Sequence, residues 1–125
     1  MIQRYRAWHR ELGRMMLIKN MWFQDGSVEE LELNDTVMND YITAYPDEIE
    51  LMQSTELFDK NNKEIFEGDI VLVLGSLYTV FYDNERGSYR LKPHDDRWNV
   101  DYMSNFAHSG NFEVVGNIYE NKELL

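Results

Sequence analysis

Three histidines, His9, His94 and His108, are the only imidazoles in this 125-residue chain, and cysteine is absent. Without thiols there is no cysteine nucleophile, disulfide or thiolate metal centre. His94-Asp95-Asp96 together with His108 is the one grouping whose residue types suit a divalent ion, since imidazole and carboxylate are its usual ligands. A metal centre also needs neighbours that hold those ligands rigid. This polar stretch supplies none, so solvated loop residues are expected there, with no metal and no cofactor. The adjacent acids Glu29-Glu30 and Asp47-Glu48 match neither the paired carboxylates of a glycosidase nor the spaced ligands of a calcium loop. No phosphate-cradling glycine loop, no G-x-S-x-G elbow and no His-Glu-x-x-His pair occurs. The sequence therefore predicts no catalytic residues and no enzyme.

Aromatic side chains are the remaining chemistry, at 14% of the chain. Tyr78, Tyr82, Tyr89, Trp98, Tyr102 and Phe106 fall close together in sequence. Small β domains bind peptides or single nucleic-acid strands on such platforms. The plainer reading is that aromatics of a small β domain form its core. As partner contacts the sequence offers Tyr82, Tyr89, Trp98, Tyr102 and Phe106, led by the amphiphilic loop residues Trp98 and Tyr102.

Charge narrows the partners. Residues 1–24 carry Arg4, Arg6, Arg10, Arg14 and Lys19 against Glu11 alone, and the rest of the chain brings the net charge to −11. So acidic a chain repels duplex DNA, which is bound mainly through phosphate neutralisation. Solubility, with attraction between a basic edge and an acidic body, is the simplest use of this asymmetry. The longest aliphatic run, Ile70 to Leu74, is far short of the roughly 20 residues that span a bilayer. The first residues carry charge with no apolar stretch behind them, unlike a signal peptide. A cytoplasmic location is expected.

The elements that must position these residues are mostly strands. Residues 2–8 and 14–18 read as two strands joined at Gly13, and Trp22, Phe23 and Asp25-Gly26 close that region at a turn. Leu31 and Leu33 alternate with acids in a third. Over residues 34–46, Met38, Tyr41, Ile42 and Tyr45 follow helical spacing, with Asp35 or Thr36 as cap and Pro46 as stop, so one short helix is expected. Ile70–Leu74, Leu77–Asp83 and Ser88–Lys92 form three strands with turns at Gly75-Ser76 and Asn84–Gly87, and Phe112–Val115 adds another. Between them Pro93–Gly110 is a long loop, of a length that usually marks function.

Three segments, taken together, resemble one family. They are Tyr5-Arg6-Ala7-Trp8 followed by Met15, the run from Glu50 through Asp59-Lys60-Asn61-Asn62-Lys63-Glu64-Ile65-Phe66-Glu67-Gly68-Asp69-Ile70-Val71, and Val115-Gly116-Asn117-Ile118-Tyr119-Glu120-Asn121 with Glu123-Leu124-Leu125. In this order they resemble the YopX family of small phage and prophage proteins. The chain departs from the family pattern at Asn62 and Glu56, where glycine is common, and at Lys122, where proline is common. The resemblance implies no chemistry, because the family's molecular function is not established.

The middle segment also has a physical reading. Gly68 permits a backbone closed to other residues, and Asp69 is placed to accept a hydrogen bond from its own turn as a strand begins. A Gly-Asp-aliphatic opening is similar to that of SH3-like barrels. The expected architecture is mainly β: residues 1–53 as an N-terminal β-hairpin lobe with one short helix, and 54–125 as a small antiparallel SH3-like barrel, with one continuous domain as the alternative. The function expected is that of a non-enzymatic accessory protein that binds a protein partner or self-assembles. Single-stranded nucleic-acid binding and acidic mimicry of DNA are the alternatives, and no membrane is involved.

Overall fold

The computed structural model describes residues 4–35, 38–106 and 111–125. The chain divides into two compact units, Met1–Gln53 and Ser54–Leu125, and it is built from antiparallel strands. Among the described residues there is no α-helix, and no helix long and apolar enough to cross a membrane.

In the first unit β1 (Tyr5–His9), β2 (Arg14–Gln24), β3 (Ser27–Asp35), β4 (Asp40–Ala44) and the start of β5 (Ile49–Phe58) align in the order β4-β3-β2-β1-β5. Asp25 and Gly26 both take positive φ, 52° and 80°. That is the mirrored two-residue turn whose twist matches a hairpin, and it brings Gln24 opposite Ser27. Alternation on β3 then sends Leu31, Leu33 and Asp35 inward. Leu33 lies opposite Ile18 and Ile42, and Leu31 opposite Met21 and Ala44. Ala7, Met16 and Ile49 complete this core. Trp22 and Phe23, expected at the turn, are exposed residues of β2 itself.

The helix expected over 34–46 does not form. Asp35 ends β3, Asn39 turns the chain at φ 52°, and β4 follows as an edge strand; Thr36 lies outside the described residues. Asp35 does receive a capping bond, from the Met38 amide at 3.3 Å, but it caps a turn. The reason lies in pairing. Residues 40–44 present Ile42 and Ala44 to the core and Tyr41 and Thr43 to solvent, a period of two that β3 can complete. A helix of three turns needs docking to be stable, and a β-branched, aromatic segment beside an unpaired strand gains more as its neighbour. Pro46 starts a single 3-10 turn, Pro46–Glu48.

The second unit contains the end of β5, which pairs with β6 (Glu64–Phe66), and a five-stranded sheet in the order β10-β9-β8-β7-β11. Its strands are β7 (Asp69–Val73), β8 (Ser76–Asp83), β9 (Ser88–Pro93), β10 (Asp101–Tyr102) and β11 (Glu113–Asn117). The sheet is open, with β10 and β11 at its edges, so the barrel expected from the Gly-Asp opening is not closed. β10 is only two residues long, too short to carry a ladder around to β11. The long stretch after Pro93 is not irregular throughout: it holds β10 and a 3-10 turn, Met103–Phe106, whose Met103 is buried with Ile65, Val71, Val73, Val80, Leu91 and Phe112.

Two buried acids organise this unit. Asp59 Oδ1 accepts from the amides of Asn61 (2.9 Å) and Lys63 (2.8 Å), and its Oδ2 from the Val114 amide (2.9 Å), joining the polar turn to β11. Burial pushes the Asp59 carboxyl up, but these amides and the Lys63 charge outweigh it and hold it below the ordinary value. Asp69, 1% exposed, accepts from the Phe66 amide at 2.8 Å, and Gly68 before it sits at φ 83°. The two positions where the resemblance implies glycine take left-handed backbone: Glu56 has φ 65° and Asn62 φ 63°. Gly116 is fixed by space, since a Cβ there would lie 2.6 Å from Asn121 Oδ1.

Candidate partner-binding groove

Alternation and register sort the aromatics of the second unit between two faces of its sheet. Tyr78, Val80 and Tyr82 on β8 share a face with Tyr89 and Leu91 on β9, because Tyr82 lies opposite Tyr89 and Val80 opposite Leu91. Tyr102 lies opposite Arg90, on the other face. The five residues expected as contacts therefore do not form one patch.

Trp98 and Phe106 do come together. With Tyr78 and Val73 they wall an open groove of about 540 Å³ at the β7–β8 end of the sheet. Leu74 and Ser76 of the hairpin turn and Asn99, Val100 and Asp101 of the loop complete its lining. Phe106 and Tyr78 also pack on the core, while Trp98 is 54% exposed. The groove thus has an anchored floor and an exposed aromatic rim. Tyr82 and Tyr89 stand apart, four residues or roughly 13 Å along β8 from Tyr78. They stack edge to face with centroids 5.1 Å apart, and the Tyr89 hydroxyl donates to the Ser54 carbonyl at 3.1 Å.

The loop that forms the outer wall is held by charge. Arg90 is the central tie: its guanidinium donates to Asp83 Oδ2 (3.2 Å) and the Val100 carbonyl (3.3 Å), and lies 4.5 Å from the centre of the Tyr102 ring. Desolvation raises the Asp83 carboxyl, but hydrogen bonds from Arg90, Arg86 and Glu85 prevail and lower it. Before Trp98, Asp95 takes a forked pair of bonds from Arg97 Nε (3.0 Å) and Nη2 (2.6 Å), which lowers its carboxyl to about 2. Asp101 accepts from the Tyr102 amide (2.7 Å) and Asn105 Nδ2 (2.6 Å).

Two of the residues that could have ligated a metal, His94 and Asp95, have other partners. His94 Nδ1 lies 2.9 Å from the Leu124 carbonyl, which only accepts, so this nitrogen carries the proton. Nε2 lies 2.8 Å from the Thr79 hydroxyl. His94 therefore ties the 3-10 turn Lys122–Leu124 to β8. Asp95 is taken by Arg97, and His108 lies outside the described residues. Among the described residues no three His, Asp or Glu side chains are grouped to hold an ion. Gly68 and Asp69 begin β7, where the Gly68 amide donates to Val80 (2.8 Å) and its carbonyl accepts from Ile118 (2.9 Å).

Sequence reasoning missed Leu74, Val100 and Arg90. Leu74 was legible in principle, because a Leu-Gly pair fills a tight turn that Asn-Gly would suit better. Arg90 was not, since only register places it beneath the loop.

Strands in two units and an open groove in the second define a small, mainly β protein. The chain belongs to the YopX family: the family model described as YopX protein matches residues 4–125. A crystal structure, that of protein EF1440 from Enterococcus faecalis, is similar at 26% identity and a TM-score of 0.71, over 100% of this chain and 99% of that one. Comparison with curated proteins gives no match.

Proposed function

We propose that this protein is a non-enzymatic accessory protein of phage or prophage origin, acting in the bacterial cytoplasm, that binds a partner protein through the groove beside Trp98. The observation that carries this reading is the groove itself: an aromatic floor fixed to the core and a tryptophan rim 54% exposed, on a loop braced by Arg90. Rigid aromatic anchors of this kind carry most of the energy of protein contacts.

The nucleic-acid alternative draws less support. Arg10 pairs with Glu50, Arg14 with Asp35 and Lys19 with Glu32, so much of the basic N-terminal edge already has carboxylate partners. Mimicry of DNA would need outward carboxylates free to stand in for phosphates, whereas Glu32, Glu50, Asp83 and Asp95 are already paired with Lys or Arg side chains.

The test is capture from host lysate by the wild-type chain, by Trp98→Ala and by Trp22→Ala as an exposed control, with light scattering of each. A partner retained by wild type and Trp22→Ala and lost by Trp98→Ala is the expected result. A strict monomer that enriches nothing, or an enriched set indifferent to Trp98, refutes the reading.

A further inference from the structure

Leu74 is 79% exposed and is held at φ 48°, in the left-handed region that a leucine rarely adopts. With Gly75 at φ 83° it forms the mirrored two-residue turn between β7 and β8, where asparagine or glycine is the favoured first residue. The leucine contributes nothing to the buried cluster of its unit. A side chain that is both strained and exposed, with no return in packing, points to a role outside the fold.

Its position says which role. Leu74 is the wall shared by the groove and by a second open depression of about 210 Å³, lined also by Leu72, Gly75 and Phe112. It therefore forms an apolar ridge between two hollows, with Trp98 and the 39% exposed Val100 on one side. The charges nearby set the sign of what fits. Lys60 and Glu113 at the second hollow pair with each other at 3.4 Å and cancel, while Asp101 lines the first. The unit from Ser54 onward carries 13 acidic against 7 basic side chains.

We infer that Leu74 and the two hollows beside it receive a basic segment of a different protein, one whose large apolar side chains seat on either side of the ridge; this rests on the binding role proposed for the groove. Nucleic-acid phosphates would meet Asp101 and the acidic unit around it. A second copy of the chain, at −11 overall, brings the wrong charge, and Arg10, Arg14 and Lys19 of its basic edge are already paired with carboxylates. Basic residues flanking apolar anchors satisfy both the ridge and the field.

The experiment uses the full chain and three labelled short peptides, alternating Leu-Lys, Leu-Glu and Ser-Lys, with a single-stranded oligonucleotide as a fourth probe, read by fluorescence polarisation and amide chemical shifts. Leu-Lys should bind at least about tenfold more tightly than each of the others, weaken as salt screens the charges, and shift Leu74, Gly75 and Val100. Leu74→Asn should lower Leu-Lys affinity about tenfold while its melting temperature holds or rises, because asparagine suits the turn. A purely structural leucine would instead lower the melting temperature on replacement, and that result overturns the inference. So do equal binding of Leu-Lys and Leu-Glu, preferred binding of the oligonucleotide, or unchanged affinity in Leu74→Asn. Should Trp98→Ala lose the lysate partner while Leu74→Asn keeps it, the groove reading stands and this inference alone falls.

Discussion

Replacing Asp59 by alanine removes one buried side chain and leaves three backbone amides, those of Asn61, Lys63 and Val114, without their acceptor. Hydrogen bonds to a charged group contribute about 1.5–3 kcal/mol each, though bonds sharing one carboxylate do not add in full. A loss of about 4 kcal/mol is therefore expected for Asp59→Ala, a large part of the roughly 5–15 kcal/mol that holds a typical domain. Asp59→Asn keeps one acceptor oxygen for the turn but presents an NH₂ group to an amide donor, and should lose about 2 kcal/mol. Urea unfolding gives the loss, and amide hydrogen exchange locates it, with protection falling first at Lys63 and Val114.

Acid adds a second check on the same residue. The Asp59 carboxyl lies below its ordinary value of 3.8 in the folded chain. Its contribution is thus fully present above that ordinary value and is lost as pH falls through the lower folded one. The gap between wild type and Asp59→Asn should stay constant from about pH 5 to 8 and narrow below about pH 4. A loss under about 1 kcal/mol for Asp59→Ala, or a gap that widens in acid, would refute the account of this residue as the clamp between turn and strand.

Two further outcomes follow from single residues. Glu56→Gly should stabilise the chain by about 1 kcal/mol in urea, because φ 65° is strained for glutamate and open to glycine. Arg90→Met should remove about 1 kcal/mol of stacking on Tyr102 and speed amide exchange through residues 98–102, while β7 and β8 keep their protection.

How much was legible in the sequence varies with the range of the interaction that decides each element. Asp25-Gly26, Asn84–Gly87 and the alternation of Leu31 and Leu33 are local signals, and the hairpins formed at those places. The polar turn at Asp59 and the Gly68-Asp69 opening of β7 are local as well, since the amides of Asn61, Lys63 and Phe66 bond those carboxylates from within a few residues; only the Val114 bond to Asp59 is long-range. Where a segment satisfies two periods at once, locality fails. Met38, Tyr41, Ile42 and Tyr45 suit a helical stripe, yet Ile42 and Ala44 also suit a strand, and only β3 alongside decides for the strand.

The site shows the same division. Composition and spacing determined that this chain is β-rich, acidic at a net charge of −11, and 14% aromatic. They also carried the likeness to the YopX family, to which the chain belongs over residues 4–125. Tertiary structure decided which aromatics meet. The pleat and register put Tyr102 on the face opposite Tyr82 and Tyr89, and left Trp98 and Phe106 facing Tyr78 across the groove. It also kept the sheet open and bound Arg90 to the Val100 carbonyl. Those outcomes depend on pairings between residues distant in sequence, whose energies appear only once the strands are side by side.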